Sequence, residues 1–143
     1  MKARANIVML PGTKLLGTAR SRSVITDRPA EDGGTDAGFT SGEMLLLAIG
    51  SCASGSLRRH FSEQGIVCRD LSVDVFFEPS ATPGARDRIV IGLTLDDAFR
   101  KDPERIKAAA ISGGVTGRLA ENSGVEVRFT DPGRRAGGGM SAG

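Results

Sequence analysis

The chain has no tryptophan and no tyrosine, and its only aromatic side chains besides one histidine are six phenylalanines. A surface of stacking platforms for single-stranded nucleic acid is therefore not expected. There is no strong excess of one charge either: 19 Lys and Arg against 17 Asp and Glu leave a formal +2. That is no footprint for a polyanion, so no nucleic-acid partner is expected. Two cysteines and one histidine cannot complete a tetrahedral zinc site without carboxylates. No metal and no other cofactor is expected. So few cysteines also exclude a disulfide-built secreted scaffold. Long hydrophobic runs are missing as well. The N-terminal apolar run, Ile7 to Leu10, stops at Pro11, short of a secretory segment. The uncharged stretch from Met44 to Leu57 is too short to span a bilayer. The expectation is a protein of the reducing cytoplasm with no membrane partner and both thiols free.

What remains is a globular composition, 39% hydrophobic and 25% charged in 143 residues. It predicts one domain over residues 1–130 and a flexible glycine-rich tail, DPGRRAGGGMSAG, over 131–143. Residues 4–10 read as a short strand and 14–28 as a second, long one. Residues 29–39, PAEDGGTDAGF, read as a Pro/Gly/Asp loop. Thr40-Ser41-Gly42-Glu43 has the form of a capping box, with Thr40 as N-cap and Glu43 at N3. The helix it opens runs to about Gln64 and stops at Gly65. Its first half, Met44 to Ile49, is apolar all round, which requires cover on every side. Its middle, Gly50-Ser51-Cys52-Ala53-Ser54-Gly55-Ser56, is almost entirely small residues. Each of the two glycines costs about 1 kcal/mol against alanine, so close approach of another backbone or of a ligand is expected there.

Residues 68–78 and 86–95 alternate apolar and polar, as in an antiparallel hairpin with one solvated face. Asp102-Pro103 starts a further helix, Gly113-Gly114 breaks it, and Val125, Val127 and Phe129 form a last strand. The order β-β-α-β-β-α-α-β is an α+β fold. An all-apolar helix in so small a chain implies a homodimer in which the second copy completes the burial.

Cys52 has two readings: a buried thiol acting as a small hydrophobe, or a nucleophile that needs a nearby cation and a path for substrate. Glu43 precedes it by nine residues, half a turn out of phase and about 13 Å along the axis. Glu43 therefore cannot reach the thiol of its own helix but can serve that of a second copy. His60 lies about 12 Å beyond Cys52 along the axis, so a Cys–His pair within one helix is not supported. A Cys52–Cys68 disulfide would need Cα atoms within about 7 Å, and a straight helix keeps them far apart. Cys68 reads as an ordinary strand-edge residue. Arg20, Arg22 and Arg28 alternate with small polar residues, as on a solvated face, yet any of them could supply the cation. Gly137-Gly138-Gly139 has no Lys-Ser/Thr after it and is no phosphate loop.

Asp27-Arg28-Pro29, then Gly33-Gly34, then Ser41-Gly42-Glu43-Met44-Leu45-Leu46-Leu47-Ala48-Ile49-Gly50-Ser51-Cys52 resembles the OsmC/Ohr family. The similarity extends over roughly residues 5–130. It implies an intertwined homodimer with long central helices wrapped by antiparallel sheets. It implies thiol peroxidase activity on small organic hydroperoxides. Cys52 would be the peroxidatic cysteine, and Glu43 would position an arginine that stabilises the thiolate, Arg28 being the first candidate and Arg22 the second. The family's second cysteine, in the late helix break, is replaced by Gly113 in Gly113-Gly114-Val115. The internal disulfide cycle is then closed, and a one-cysteine cycle using an external thiol reductant is expected. The alternative is a non-catalytic OsmC-like protein that binds a small apolar ligand, with Cys52 as packing and Gly113-Gly114 widening the pocket floor.

Overall fold

The computed structural model describes residues 4–121 and 125–130. Within them the strands β1 (Asn6–Met9), β2 (Leu15–Ala19), β3 (Arg22–Thr26), β4 (Ser72–Glu78), β5 (Arg88–Thr94) and β6 (Val125–Phe129) alternate with α1 (Ser41–Glu63), α2 (Pro103–Ile111) and α3 (Gly114–Ala120). The fold is α+β, as expected. The glycine-rich tail lies outside the described residues. Two compact units divide inside α1, between Leu46 and Leu47.

The first unit carries an antiparallel sheet in the order β1-β2-β3. One long strand over 14–28 is not what forms. Arg20 adopts φ 55°, the left-handed region, and the chain turns back so that Ala19 pairs with Arg22. The polar run Thr18 to Arg22 spans this turn. Ile7, Val8 and Met9 of β1 are exposed.

The second unit carries the sheet β4-β5-β6, with β5 in the middle. β4 and β5 are the expected hairpin partners, Val73 opposite Leu93 and Val75 opposite Ile91. The strand starts at Ser72 rather than at 68, which leaves Cys68 in the connection after α1. β6 joins β5 in parallel, so this sheet is mixed rather than purely antiparallel. The return through α2 and α3 supplies the crossover that a parallel pair requires. As the central strand, β5 is buried along Ile89, Val90, Ile91, Gly92 and Leu93.

α1 begins and ends as its sequence dictates. The Thr40 backbone N–H donates to Glu43 Oε2 at 2.8 Å, and the Glu43 N–H donates to Thr40 Oγ1 at 3.1 Å, which is the reciprocal capping box. At the other end Gly65 takes φ 69°. The N–H groups of Gly65 and Ile66 bond to the carbonyls of Ser62 and Phe61, a Schellman stop. Between these ends Ile49, Ala53, Leu57 and Phe61 are buried, a single stripe at helical spacing. A side chain at Gly50 would come within 3.1 Å of Val75 Cγ2, so what stands close there is a side chain of β4 rather than a backbone or a ligand. Gly55 has open space around it. In the apolar first half of α1, Leu45 and Leu47 are 41% and 52% exposed.

α2 has Asp102 as N-cap, accepting from the Arg105 N–H, with Pro103 in its first turn. Its packing against β6 is finished at Phe129, over which Arg100 and Lys107 stand at 5.3 and 5.7 Å from the ring centroid. Among the described residues no helix is long and apolar enough to cross a membrane.

Candidate active site

The loop before α1 is organised around a carboxylate. Asp27 is 5% exposed and accepts from both hydroxyl and amide donors. Oδ1 takes the Thr13 hydroxyl and the Arg28 N–H (2.8 Å), and Oδ2 takes the Thr35 N–H (3.0 Å), the Thr35 hydroxyl (2.6 Å) and the Ala37 N–H (3.2 Å). The Thr13 and Thr35 hydroxyls hold the carboxyl far below the usual carboxylate range, against the opposing effect of burial. Two glycines let the loop close. A Cβ on Gly34 would stand 1.9 Å from the Arg28 carbonyl oxygen, and one on Gly38 2.1 Å from that of Ile25. These contacts account physically for the Asp27 and glycine pattern noted in the sequence.

Of the candidate arginines, Arg28 is anchored at its backbone by Asp27, and its side chain is exposed. Arg22 is also exposed. It lines a cavity of about 440 Å³ together with Ser41 and Met44, which stand in the first turn of α1 beside Glu43. Arg28 does not line it. Neither guanidinium forms an ion pair among the described residues. Glu43 uses Oε2 for both bonds to Thr40. Its Oε1 has no hydrogen-bond partner among the described residues.

Cys52 is a partly buried free thiol, next to the fully buried Ala53. One turn further along, Ser56 is buried and meets the helix break: a Cβ on Gly113 would lie 2.1 Å from Ser56 Oγ. Gly113 therefore does not widen a pocket floor as the sequence suggested, because the Ser56 hydroxyl fills the direction a side chain would take. The spacing of Cys52 and Ser56, four residues on one helix face, was a signal that pattern reading could have used. Beyond the break, Thr116 Oγ1 is buried without a hydrogen-bond partner among the described residues.

Cys68 is also free and partly buried. Burial first, and Asp70 second, push its thiol above the ordinary value, which disfavours its thiolate form. His60 faces Gln64, with Nε2 to Nε2 at 2.9 Å, and its ring meets the Phe61 ring edge-on. It makes no catalytic pair.

Sequence reading missed a charge network on the second sheet. Arg128 bonds both Glu78 (2.5 and 2.7 Å) and Glu126 (2.6 and 3.0 Å), and Arg88 reaches the same two carboxylates. Hydrogen bonds from Arg128 hold both glutamates below their ordinary range. Alternating charges on three strands leave no local motif, so only the register brings them together.

The sequence pattern described as OsmC-like protein matches residues 33–115, more than half of the chain and the whole stretch from the glycine loop to the helix break. The chain belongs to the OsmC-like family. Solved structures of similar fold include the OsmC-like protein of Mycoplasma pneumoniae, with TM-score 0.69 at 14% identity over 92% of this chain and 96% of that one. They also include the organic hydroperoxide resistance protein OhrB of Bacillus subtilis, with TM-score 0.62 at 16% identity over 92% and 98%. The organic hydroperoxide resistance protein OsmC of Legionella pneumophila gives TM-score 0.63 at 16% identity over 92% and 96%. At such identities the likeness is one of fold. No curated protein matches this OsmC-like chain in sequence.

Proposed function

We propose that this OsmC-like protein is a one-cysteine thiol peroxidase for small organic hydroperoxides, acting through Cys52. The Cys52 thiolate attacks the terminal peroxide oxygen; the S–O bond forms as the O–O bond breaks, and the alkoxide leaves with a proton as the alcohol. The sulfur, oxidised by two electrons, is left as a sulfenic acid. An external thiol then attacks that sulfur, water leaves, and a second thiol frees Cys52 by releasing a disulfide. The family pattern and the hydroperoxide-resistance proteins of the same fold support the chemistry.

The observation that carries the one-cysteine form is Ser56 against Gly113. Where the family's second thiol would stand, this chain has closed packing one helical turn from Cys52. In this reading Glu43 keeps its capping bonds through Oε2 and offers Oε1 to an arginine. For that role we favour Arg22, which lines a cavity with Ser41 and Met44, over Arg28. The proposal includes a homodimer, in which the exposed Leu45 and Leu47 of α1 and Ile7, Val8 and Met9 of β1 meet a second copy. Glu43 and the arginine of one protomer would then serve Cys52 of its partner, consistent with the half-turn offset along α1.

The test is steady-state consumption of cumene hydroperoxide with a thiol reductant. Wild type and Cys68→Ser turn over and Cys52→Ser does not. Equal activity in Cys52→Ser, or none in wild type with monothiol or dithiol reductants, overturns the proposal and leaves the ligand-binding reading.

A further inference from the structure

A cavity of about 480 Å³ opens beside the second half of α1. Ser54, Arg58 and Ser62 line it from one helix face, as their spacing of four requires. The connection to β4 closes the other side and contributes Cys68 and Arg69, with Phe61 and Val67 among the apolar walls. Cys52 does not line this cavity; two positions from Ser54, it projects about 200° away around the helix axis. The volume falls in the range of small-molecule sites.

The lining has both chemistries of an amphipathic anion site and lacks a carboxylate. Arg58 and Arg69 form no ion pair among the described residues, whereas Arg88, Arg100 and Arg128 are all paired. Asp70 lies beside the cavity without lining it, and burial pushes the Cys68 thiol up. Two guanidinium forks and two hydroxyls suit an oxyanion. Inorganic phosphate would leave the Phe61 and Val67 wall against water, and a neutral apolar molecule would leave the guanidiniums unused.

We propose that this cavity is a second small-molecule site, separate from Cys52, which takes a small organic acid. The carboxylate would sit between Arg58 and Arg69 with the hydroxyls of Ser54 and Ser62, and the short apolar chain would lie along Phe61 and Val67.

Cys68 makes the site measurable. In Cys52→Ala it is the sole thiol, and its alkylation rate by iodoacetamide reports access to the cavity. Calorimetry gives the Kd of hexanoate. At ten times that Kd about nine tenths of the sites are filled, so alkylation slows roughly tenfold. Hexanol and inorganic phosphate at the same concentration leave the rate unchanged. Arg58→Ala and Arg69→Ala are surface changes whose folding is checked by far-ultraviolet circular dichroism; each weakens hexanoate about tenfold or more. Protection by hexanol or by phosphate equal to that by hexanoate, no protection at all, or unchanged affinity in both arginine variants overturns the site. Because the protein used lacks Cys52, the result is independent of peroxidase activity.

Discussion

Gly113 and Ser56 fit each other as a pair: a Cβ at 113 would stand 2.1 Å from Ser56 Oγ. Gly113 has φ −97°, which any residue can adopt, so contact rather than backbone strain excludes a side chain there. Gly113→Ala alone is expected to destabilise by about 1–3 kcal/mol through overpacking. Ser56→Ala removes the clashing oxygen, so the double variant Ser56→Ala/Gly113→Ala recovers most of the loss. A double-mutant cycle in urea measures this coupling. Additive single effects would show that the pair is not packed as described.

Gly33, Gly34 and Gly38 make two contrasting predictions. Gly34→Ala and Gly38→Ala drive a methyl group into backbone carbonyls at 1.9 and 2.1 Å. Neither can be accommodated without moving the loop, and both variants should lose the order of residues 27–40. Gly33 has φ 79° with open space around it, so Gly33→Ala bears only the left-handed penalty of about 1–2 kcal/mol. Hydrogen exchange of the Thr35 and Ala37 amides, the donors to Asp27, separates the cases: fast in the first two, protected in the third.

Asp27 predicts a pH dependence. Its folded pKa lies below the ordinary value of 3.8, so the unfolded chain binds the proton more readily. Its contribution is complete above the ordinary carboxylate range and is lost as pH falls below about 3.8 toward the folded value. Asp27→Asn lacks that contribution at every pH. Wild type should exceed Asp27→Asn in unfolding free energy at pH 7, with the gap shrinking as acid is added. Comparing the two variants cancels the parallel contributions of Glu78 and Glu126. A gap that stays constant between pH 7 and 2 would contradict the arrangement.

Glu43 has two roles that substitution separates. Glu43→Gln can still complete a capping box, so α1 should keep its stability while the peroxidase rate falls. Glu43→Ala loses the reciprocal bonds to Thr40 as well, for about 0.5–2 kcal/mol. Thermal unfolding and peroxide turnover on both variants check the split. Full turnover in Glu43→Gln would remove the carboxylate charge from the mechanism.

The parts of the fold readable in sequence were those fixed by short-range chemistry. Thr40 with Glu43, Gly65, and Asp102 with Pro103 mark helix ends through bonds made within a few residues. The alternation of Val73 and Val75 against Ile91 and Leu93 marks the hairpin. What escaped depended on tertiary context. The Thr18–Arg22 run carries polar residues that serve a strand or a turn equally well, and only Arg20 in the left-handed region decides. The parallel joining of β6 to β5 and the Glu78–Arg128–Glu126 network arise from register across distant segments. At the candidate site, Cys52 and Glu43 were legible as pattern. The burial of Ser56 under Gly113 and the five bonds to Asp27 were not, because their partners are distant in sequence or held by a loop without regular spacing.

The most direct measurement is trapping of the oxidised sulfur. Treated with one equivalent of cumene hydroperoxide and then dimedone, the protein should carry a single adduct, located by peptide mass spectrometry on Cys52, with Cys68 unmodified. Absence of an adduct on Cys52 under conditions that label a known sulfenate, or labelling confined to Cys68, would contradict the account.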